Sequence, residues 1–420
     1  MSLFPIRSII DDNRAPGFLA VFIDTSSFPA YLRSLNINVP VTTRGGQMIP
    51  GPPAPFFELA LRLGLGALIL DTPQNRSILA RINVPPETLA YVSPRLRSRR
   101  QWRAEWAALA GPHLAAADQA AAKDDREDAV REIKAALALL GVAYSGDGYY
   151  IHMPMRERHN ALPTFQRLYA MLNAITGERV ERLSFAHSRG TTVGLLHFPT
   201  RPPEGLKPSG GSLNRYPALL AIHPLASDKD SFDHALSPFR EAGYVTFCID
   251  LPAHGDAFDG PRLKPDDELV GAAALEMLVA HPEIDPDRLG VMGGSLGAFY
   301  ALRTAAISPR LKACLAFASP FDVGKGLPES VPGIQEHFAH VIGAPTIKES
   351  FILASPFHLR DVVSNIKCPV ALVHGTQDHI CDFTASYQIA RRVNSPLSVF
   401  PLVGADHEVS SPSTPALAGP

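Results

Sequence analysis

Cysteine is scarce in this chain: Cys248, Cys314, Cys368 and Cys381 are the only four among 420 residues, and no two form a CxxC pair. That spacing excludes a disulfide framework and a thiolate zinc site. Free thiols in apolar runs behave as small hydrophobes, which reads as a reducing, cytoplasmic setting. Excess charge of one sign is also missing. The 39 Lys+Arg nearly balance the 41 Asp+Glu, a formal net charge of -2. The chain as a whole therefore offers no electrostatic attraction to nucleic acid or an anionic membrane, and neither is expected as a partner.

Long apolar runs are lacking too. The nearest approach, "PFFELALRLGLGALIL" from Pro55 to Leu70, is interrupted by Glu58 and Arg62 and is too short to span a bilayer. It reads as a buried helix. The opening "MSLFPIRSIIDDNRAPG" shows no cationic segment followed by an apolar one, so no secretory signal is expected. The histidines follow no H-E-x-x-H pattern, and neither a metal nor a cofactor is expected. What is present is ordinary globular composition, 46% hydrophobic and 19% charged, enough for a large core without staples.

The chain divides at about residue 179. Before it, "VPVTTRGGQMIPGPPAP" (Val39–Pro55) reads as loop, and "PRLRSRRQWRAEW" as a solvated helix face. Val130, Ile133, Leu137 and Leu140 recur at helical spacing and stop before Gly141, a C-cap candidate. A second helix is predicted over Thr164 to Thr176, with Phe165, Leu168, Leu172 and Ile175 on one face and Gly177 after it. Residues 1–178 thus read as an irregular start followed by a helical cap.

From 179 the pattern changes to short apolar runs separated by helical segments: "RLSFAH", "VGLLHF", "PALLAIH", "VTFCID", "RLGVMG", "LKACLAFA", "CPVALVHG" and "LSVFPLV". The first two, joined by "SRGTT", predict a hairpin. The later ones are continuously hydrophobic, as strands covered on both faces are. Residues 179–408 are predicted to be a mostly parallel, doubly wound α/β domain. Thr200–Pro217 reads as a surface loop, the stretch after Phe321 as a helical excursion, and residues 409–420 as a disordered tail.

Within this order "GGSLG", Gly293 to Gly297, is a G-x-S-x-G match lying between a strand and a helix. There a serine occupies a strained turn, with glycines letting strand and helix approach. A serine hydroxyl is a weak nucleophile and needs a base, and the base needs an orienting acid. Both are expected downstream, acid first. Asp378 follows the strand "CPVALVHG" and His407 follows "LSVFPLV". Ser295 is therefore the candidate nucleophile, His407 the base and Asp378 the acid, with Asp382 and Asp406 as alternates.

Oxyanion donors are expected from the backbone of Leu296, directly after the serine, and of Leu225 in "HPLASDKDSF", with Ala226 adjacent. His223, Lys229, Phe321 and Phe338 are candidate pocket residues, and His340 and Phe351 are nearby in sequence. Asp250 and His254 of "IDLPAHGDAFDG" read as a structural turn bordering the cleft.

These stretches resemble the α/β-hydrolase superfamily, and more narrowly its FrsA-like group, which takes in fungal polyketide-shortening hydrolases. The resemblance covers roughly Ala115 to His407. It implies a serine triad without cofactor, a helical N-terminal cap, a homodimer through the N-terminal part, and cleavage of an ester or of a carbon-carbon bond beside a ketone in a small acyl substrate. An acyltransferase with the same triad, or an inactive binding protein of this fold, are the alternatives. The chain departs from the pattern in two places: "HPLAS" stands where a glycine-rich approach is usual, and only "EVSSPSTPALAGP" follows His407.

Overall fold

In a computed structural model, residues 54–71, 76, 79–80, 83–98, 100–145, 155–200 and 215–407 are described. Most of Val39–Pro55 and Thr200–Pro217, and all of 409–420, lie outside them. The described residues of Gln47–Gly177, with Val331–Glu336, form one compact unit, and those of Glu178–Ser330 and His337–Pro420 form another.

The first unit is helical. Gln101–Ala122 and Arg126–Ser145 are joined by a three-residue turn in which Asp124 has φ +55°, and Met155–Thr176 follows. The apolar spacing read from sequence is realised: Ile133 and Leu140 are buried, with Val130 and Leu137 packed against the same cluster. Gly141 is not a cap, because the helix continues through it to Ser145 and buries the next two residues, Val142 and Ala143. The third helix begins nine residues before the predicted Thr164, so that Pro163 sits inside it.

Trp102 and Trp106 are not on a solvated face. Both are buried, their ring centroids 5.4 Å apart, and the Trp102 indole N–H donates to the Val142 carbonyl at 3.0 Å. The Pro55–Leu70 stretch is two short helices, Ala54–Arg62 and Gly66–Leu70, broken at Gly64 with φ +77°. Leu59, Leu63 and Leu68 are exposed. Among the described residues no helix is long and apolar enough to cross a membrane.

The second unit is built on one eight-stranded sheet, ordered β1-β2-β4-β3-β5-β6-β7-β8. The strands are β1 Val180–His187, β2 Gly190–His197, β3 Tyr216–Ile222, β4 Val245–Ile249, β5 Ile284–Gly294, β6 Ala313–Phe317, β7 Val370–Gly375 and β8 Leu397–Leu402. All eight apolar runs are strands. β1 and β2 form the expected antiparallel hairpin, β2 joins β4 antiparallel, and every remaining pair is parallel. β4, β6 and β7 are buried at every residue, as two-sided helical cover requires.

The excursion after β6 is helical, with Pro332–Ile342 and Ile347–Leu353 its two longer pieces. Because β3 is followed spatially by β4 on one side and β5 on the other, the chain reverses its winding there. Such a switch point opens a crevice at the carboxyl ends of the strands.

Close approach at this point explains the glycines of the elbow. A Cβ on Gly297 would stand 2.1 Å from the Ile222 carbonyl at the end of β3, and one on Gly293 2.2 Å from the Gly297 backbone. Gly297→Ala has no flexible side chain to push aside, so it is expected to destabilise the fold by at least about 2 kcal/mol, toward the upper end of overpacking effects. Urea unfolding of the purified variant checks this, and a loss under 0.5 kcal/mol would contradict the packing described.

Candidate active site

Ser295 follows β5 directly and precedes the helix Leu296–Ile307. Its backbone sits at φ +53°, ψ -120°, a strained conformation for a residue with a side chain. Two fixed points hold it there. Its amide donates to the Phe317 carbonyl at the end of β6 at 2.8 Å, and Ala318, next along, donates to Val373 of β7 at 2.8 Å. Leu296 is the first residue of the helix, where backbone amides have no partner within the helix and point outward. That matches the expected place of one oxyanion donor.

The acid candidate is Asp378, and the structure fills its carboxylate completely. Oδ1 accepts the amides of Ile380 and Cys381, each at 2.8 Å. Oδ2 accepts His407 Nδ1 at 2.7 Å and His374 Nε2 at 3.0 Å. Burial alone would raise the acid's pKa, but the charge of protonated His407 and the hydrogen bonds of both imidazoles outweigh it and hold Asp378 well below the usual carboxylate range. An ionised carboxylate accepts only, so His407 carries its proton on Nδ1 and leaves Nε2 as the basic atom.

The two loops that meet here are tied by backbone. Gln377 donates to Ala405 at 2.9 Å and Thr376 to Leu402 at 3.0 Å, and a Cβ on Gly375 would stand 2.3 Å from the Asp406 carbonyl. Asp382, the first alternate acid, is exposed and caps the Thr384 amide instead at 2.7 Å. Asp378 is the carboxylate that pairs with His407, at 2.7 Å.

Sequence reasoning missed two neighbours. His374 lies at the end of apolar β7, fully buried, its Nε2 shared between Asp378 and the Cys381 carbonyl at 2.8 Å, and its Nδ1 2.8 Å from the Ser386 hydroxyl. Its signal was a histidine four residues before the acid. Cys381, read as a small hydrophobe, lies beside Ser295, whose side chain opposes the upward pull of burial on the thiol's pKa. Burial pushes that thiol's pKa well up, so it remains a neutral S–H beside the serine. Through Cys381 the serine, the acid and His407 share one neighbourhood.

The pocket candidates are placed differently from expectation. Lys229 is fully buried: its ammonium meets Asp230 at 2.7 Å, Asp250 at 3.0 Å and Asp256, which leaves it no role facing a substrate. Burial opposes its charge, and the surrounding carboxylates more than restore it. His223 is buried between the Pro224 carbonyl and the Leu251 amide. Phe321 lies under Arg392, and Phe338 packs edge-on against Phe357, 5.2 Å between centroids. Both phenylalanines are buried, their rings committed to packing. Among the described residues one group has metal-ligand spacing, Glu181, His281 and Glu283, but Arg179 pairs with both glutamates.

The mostly parallel sheet, the strained serine after β5 and the acid and histidine after β7 and β8 are the arrangement of the α/β-hydrolase fold. Residues 219–363 match the alpha/beta hydrolase family. The chain is 31% identical over 181 residues to the 2,6-dihydropseudooxynicotine hydrolase of Paenarthrobacter nicotinovorans, covering 43% of this chain and 47% of that one. It is 29% identical over 243 residues to hydrolase pyiE of Pyricularia grisea, covering 53% and 50%. The chain thus spans about half the length of the curated relatives it matches. Among solved structures, that of a 2,6-dihydroxy-pseudo-oxynicotine hydrolase superposes with a TM-score of 0.63 at 22% identity, over 82% of this chain and 90% of the other. The resemblance drawn from the elbow and strand order is borne out in fold.

The lowered pKa of Asp378 fixes the sign of a stability prediction. A carboxyl whose native pKa lies below its unfolded value of about 4 stabilises the fold fully above that pH, and less as pH falls through the native value. Asp378→Asn is therefore expected to unfold about 2–4 kcal/mol more easily near pH 7. The deficit should stay constant down to about pH 5 and shrink below about pH 4. Denaturant titrations of both proteins across that range check it; a deficit that grows on acidification contradicts the assignment.

Proposed function

We propose that the chain is a serine hydrolase working through an acyl-enzyme, with Ser295 as nucleophile, His407 as base and then acid, and Asp378 as the group that orients His407. The observation that carries this reading is the Asp378–His407 pair at 2.7 Å, held on the loops after β7 and β8 of the same sheet whose β5 ends at the strained serine.

In the proposed cycle the Ser295 oxygen attacks an acyl carbonyl and its proton passes to His407 Nε2. The oxyanion that forms lies toward the backbone amides of Leu296 and Leu225. As it collapses, the bond to the leaving group breaks, and that group, an alkoxide or an enolate, takes the proton from His407. Water then gives a proton to His407 and attacks the acyl-enzyme, releasing the carboxylic acid and restoring Ser295. The substrate class that follows is an ester, or a ketone whose neighbouring carbon leaves as an enolate. The relatives named as hydrolases support hydrolysis over transfer.

Matched panels of p-nitrophenyl esters and aryl β-diketones, run on wild type and Ser295→Ala, test the reading. The variant is expected to lose at least about 10³-fold in kcat, and His407→Ala a comparable factor, with the double variant no worse because the residues act as a unit. Turnover that survives in Ser295→Ala, or losses that multiply, overturns it. Diketone cleavage at an efficiency matching or exceeding that of esters assigns carbon-carbon hydrolysis. Exclusive transfer to added alcohols would make the protein an acyltransferase.

A further inference from the structure

β3 ends at Ile222 and runs into a turn closed by the Ser227 amide donating to the Pro224 carbonyl at 3.1 Å. A turn of this kind uses its first carbonyl and last amide, and its two middle amides, here Leu225 and Ala226, take no part in that bond. The turn lies against the elbow, since a Cβ on Gly294 would stand 3.3 Å from Pro224.

Two buried imidazoles grip the carbonyls of this turn. His223 Nδ1 is 2.8 Å from the Pro224 carbonyl and His254 Nε2 is 3.0 Å from the Leu225 carbonyl. In a trans peptide C=O and N–H point to opposite sides of one plane. Holding the Pro224 oxygen therefore aims the Leu225 N–H, and holding the Leu225 oxygen aims the Ala226 N–H.

The partners of His223 also settle where its proton lies. His223 Nε2 accepts the Leu251 amide at 3.0 Å, so its proton is on Nδ1, facing Pro224. His254 has a carbonyl at each nitrogen, Leu225 at 3.0 Å from Nε2 and Pro252 at 2.9 Å from Nδ1, and since a carbonyl only accepts, the grip on the turn requires the proton on Nε2.

The rest of this corner serves the same end. The two rings lie tilted against each other, centroids 4.9 Å apart, with His337 5.6 Å beyond His254. The residue before His254, Ala253, is held at φ +60°, a strained backbone that sets where the ring projects. Asp250 accepts the amides of Lys229 and Asp256, each at 2.9 Å, which ties the segment after the turn to the loop that carries His254. A Cβ on Gly255 would stand 2.3 Å from the Asp250 carboxylate.

We propose that His223 and His254 are positioning residues that clamp two consecutive peptides of the Pro224–Ser227 turn and so aim its middle amides at the oxyanion. The clamp replaces the missing glycine-rich approach: rigidity comes from paired imidazoles rather than from a glycine backbone. This inference rests on the hydrolase reading above.

The test compares His254→Phe, which keeps a ring but loses both nitrogens, with His254→Gln, which keeps a donor. With p-nitrophenyl butyrate as the probe, His254→Phe is expected to lose roughly 10- to 100-fold in kcat with KM within threefold, less than the 10²–10³ of removing an oxyanion donor itself. His254→Gln should recover most of that loss. Equal losses in both variants, or a change confined to KM, mean a structural role and overturn the proposal.

Should His254→Phe fail to fold, ¹⁵N-histidine NMR of the wild type decides: protons on His223 Nδ1 and His254 Nε2 are expected, and a bare His254 Nε2 overturns the clamp. Absence of any Ser295-dependent turnover in wild type overturns the hydrolase reading and this inference with it. Turnover indifferent to His254→Phe overturns the inference alone.

Discussion

Much of the second unit is organised around a single buried carboxylate. Asp378 lies in a place where burial alone would strip its charge, and it keeps that charge only because four N–H groups converge on it. Each donor dictates something else. The amides of Ile380 and Cys381 curl the chain after β7 into a tight turn, and that turn carries the Cys381 thiol to Ser295. His374 must end β7 inside the core, and His407 must follow β8 at a fixed distance. Removing any one donor leaves a charge or a lone pair unmet, which is costly at this depth.

A second buried charge stands on the other side of the crevice and has the opposite sign. Lys229 is surrounded by Asp230, Asp250 and Asp256, with Arg182 also reaching Asp256. The two centres flank the switch point between β3 and β5, where the elbow glycines press the serine's helix onto the end of β3. One centre fixes the imidazole and its acid; the other fixes the turn after β3. The serine between them is strained but over-determined, held through its amide by the neighbouring strand. An arrangement of fixed dipoles and charges of this kind needs no rearrangement when charge develops, which is the physical source of electrostatic catalysis.

How much of this was legible depended on the kind of signal. The eight strands, the hairpin and the elbow were readable because continuous apolar runs and clustered glycines report local constraints, burial on both faces and backbone contact. Asp378 and His407 were readable because each directly follows such a run. The partners of buried polar groups were not. Nothing near Lys229 says that it is buried, since its neutralisation comes partly from Asp250 and Asp256, which sequence places after β4 and the fold places beside it. The helical half failed in a related way. Gly141 looked like a terminus because glycine is a poor helix former, yet tertiary packing of Val142 and Ala143 outweighs a propensity of about 1 kcal/mol.

The histidines show the limit most clearly. His223 stands before a proline and reads as a pocket residue, His254 stands before a glycine and reads as part of a turn, and His374 near the end of an apolar strand carries no such signal. In the fold each has both ring nitrogens engaged, and in each case at least one partner is a backbone carbonyl. Imidazole suits this task because it is flat enough to bury, stacks on its neighbours and presents a nitrogen at each end that can donate or accept. A carbonyl held by such a ring can no longer rotate its peptide, so the amide on the far side of that plane is fixed as well. Backbone geometry around these histidines is thus set by groups whose identity follows from hydrogen-bond bookkeeping in the folded chain, not from spacing along it.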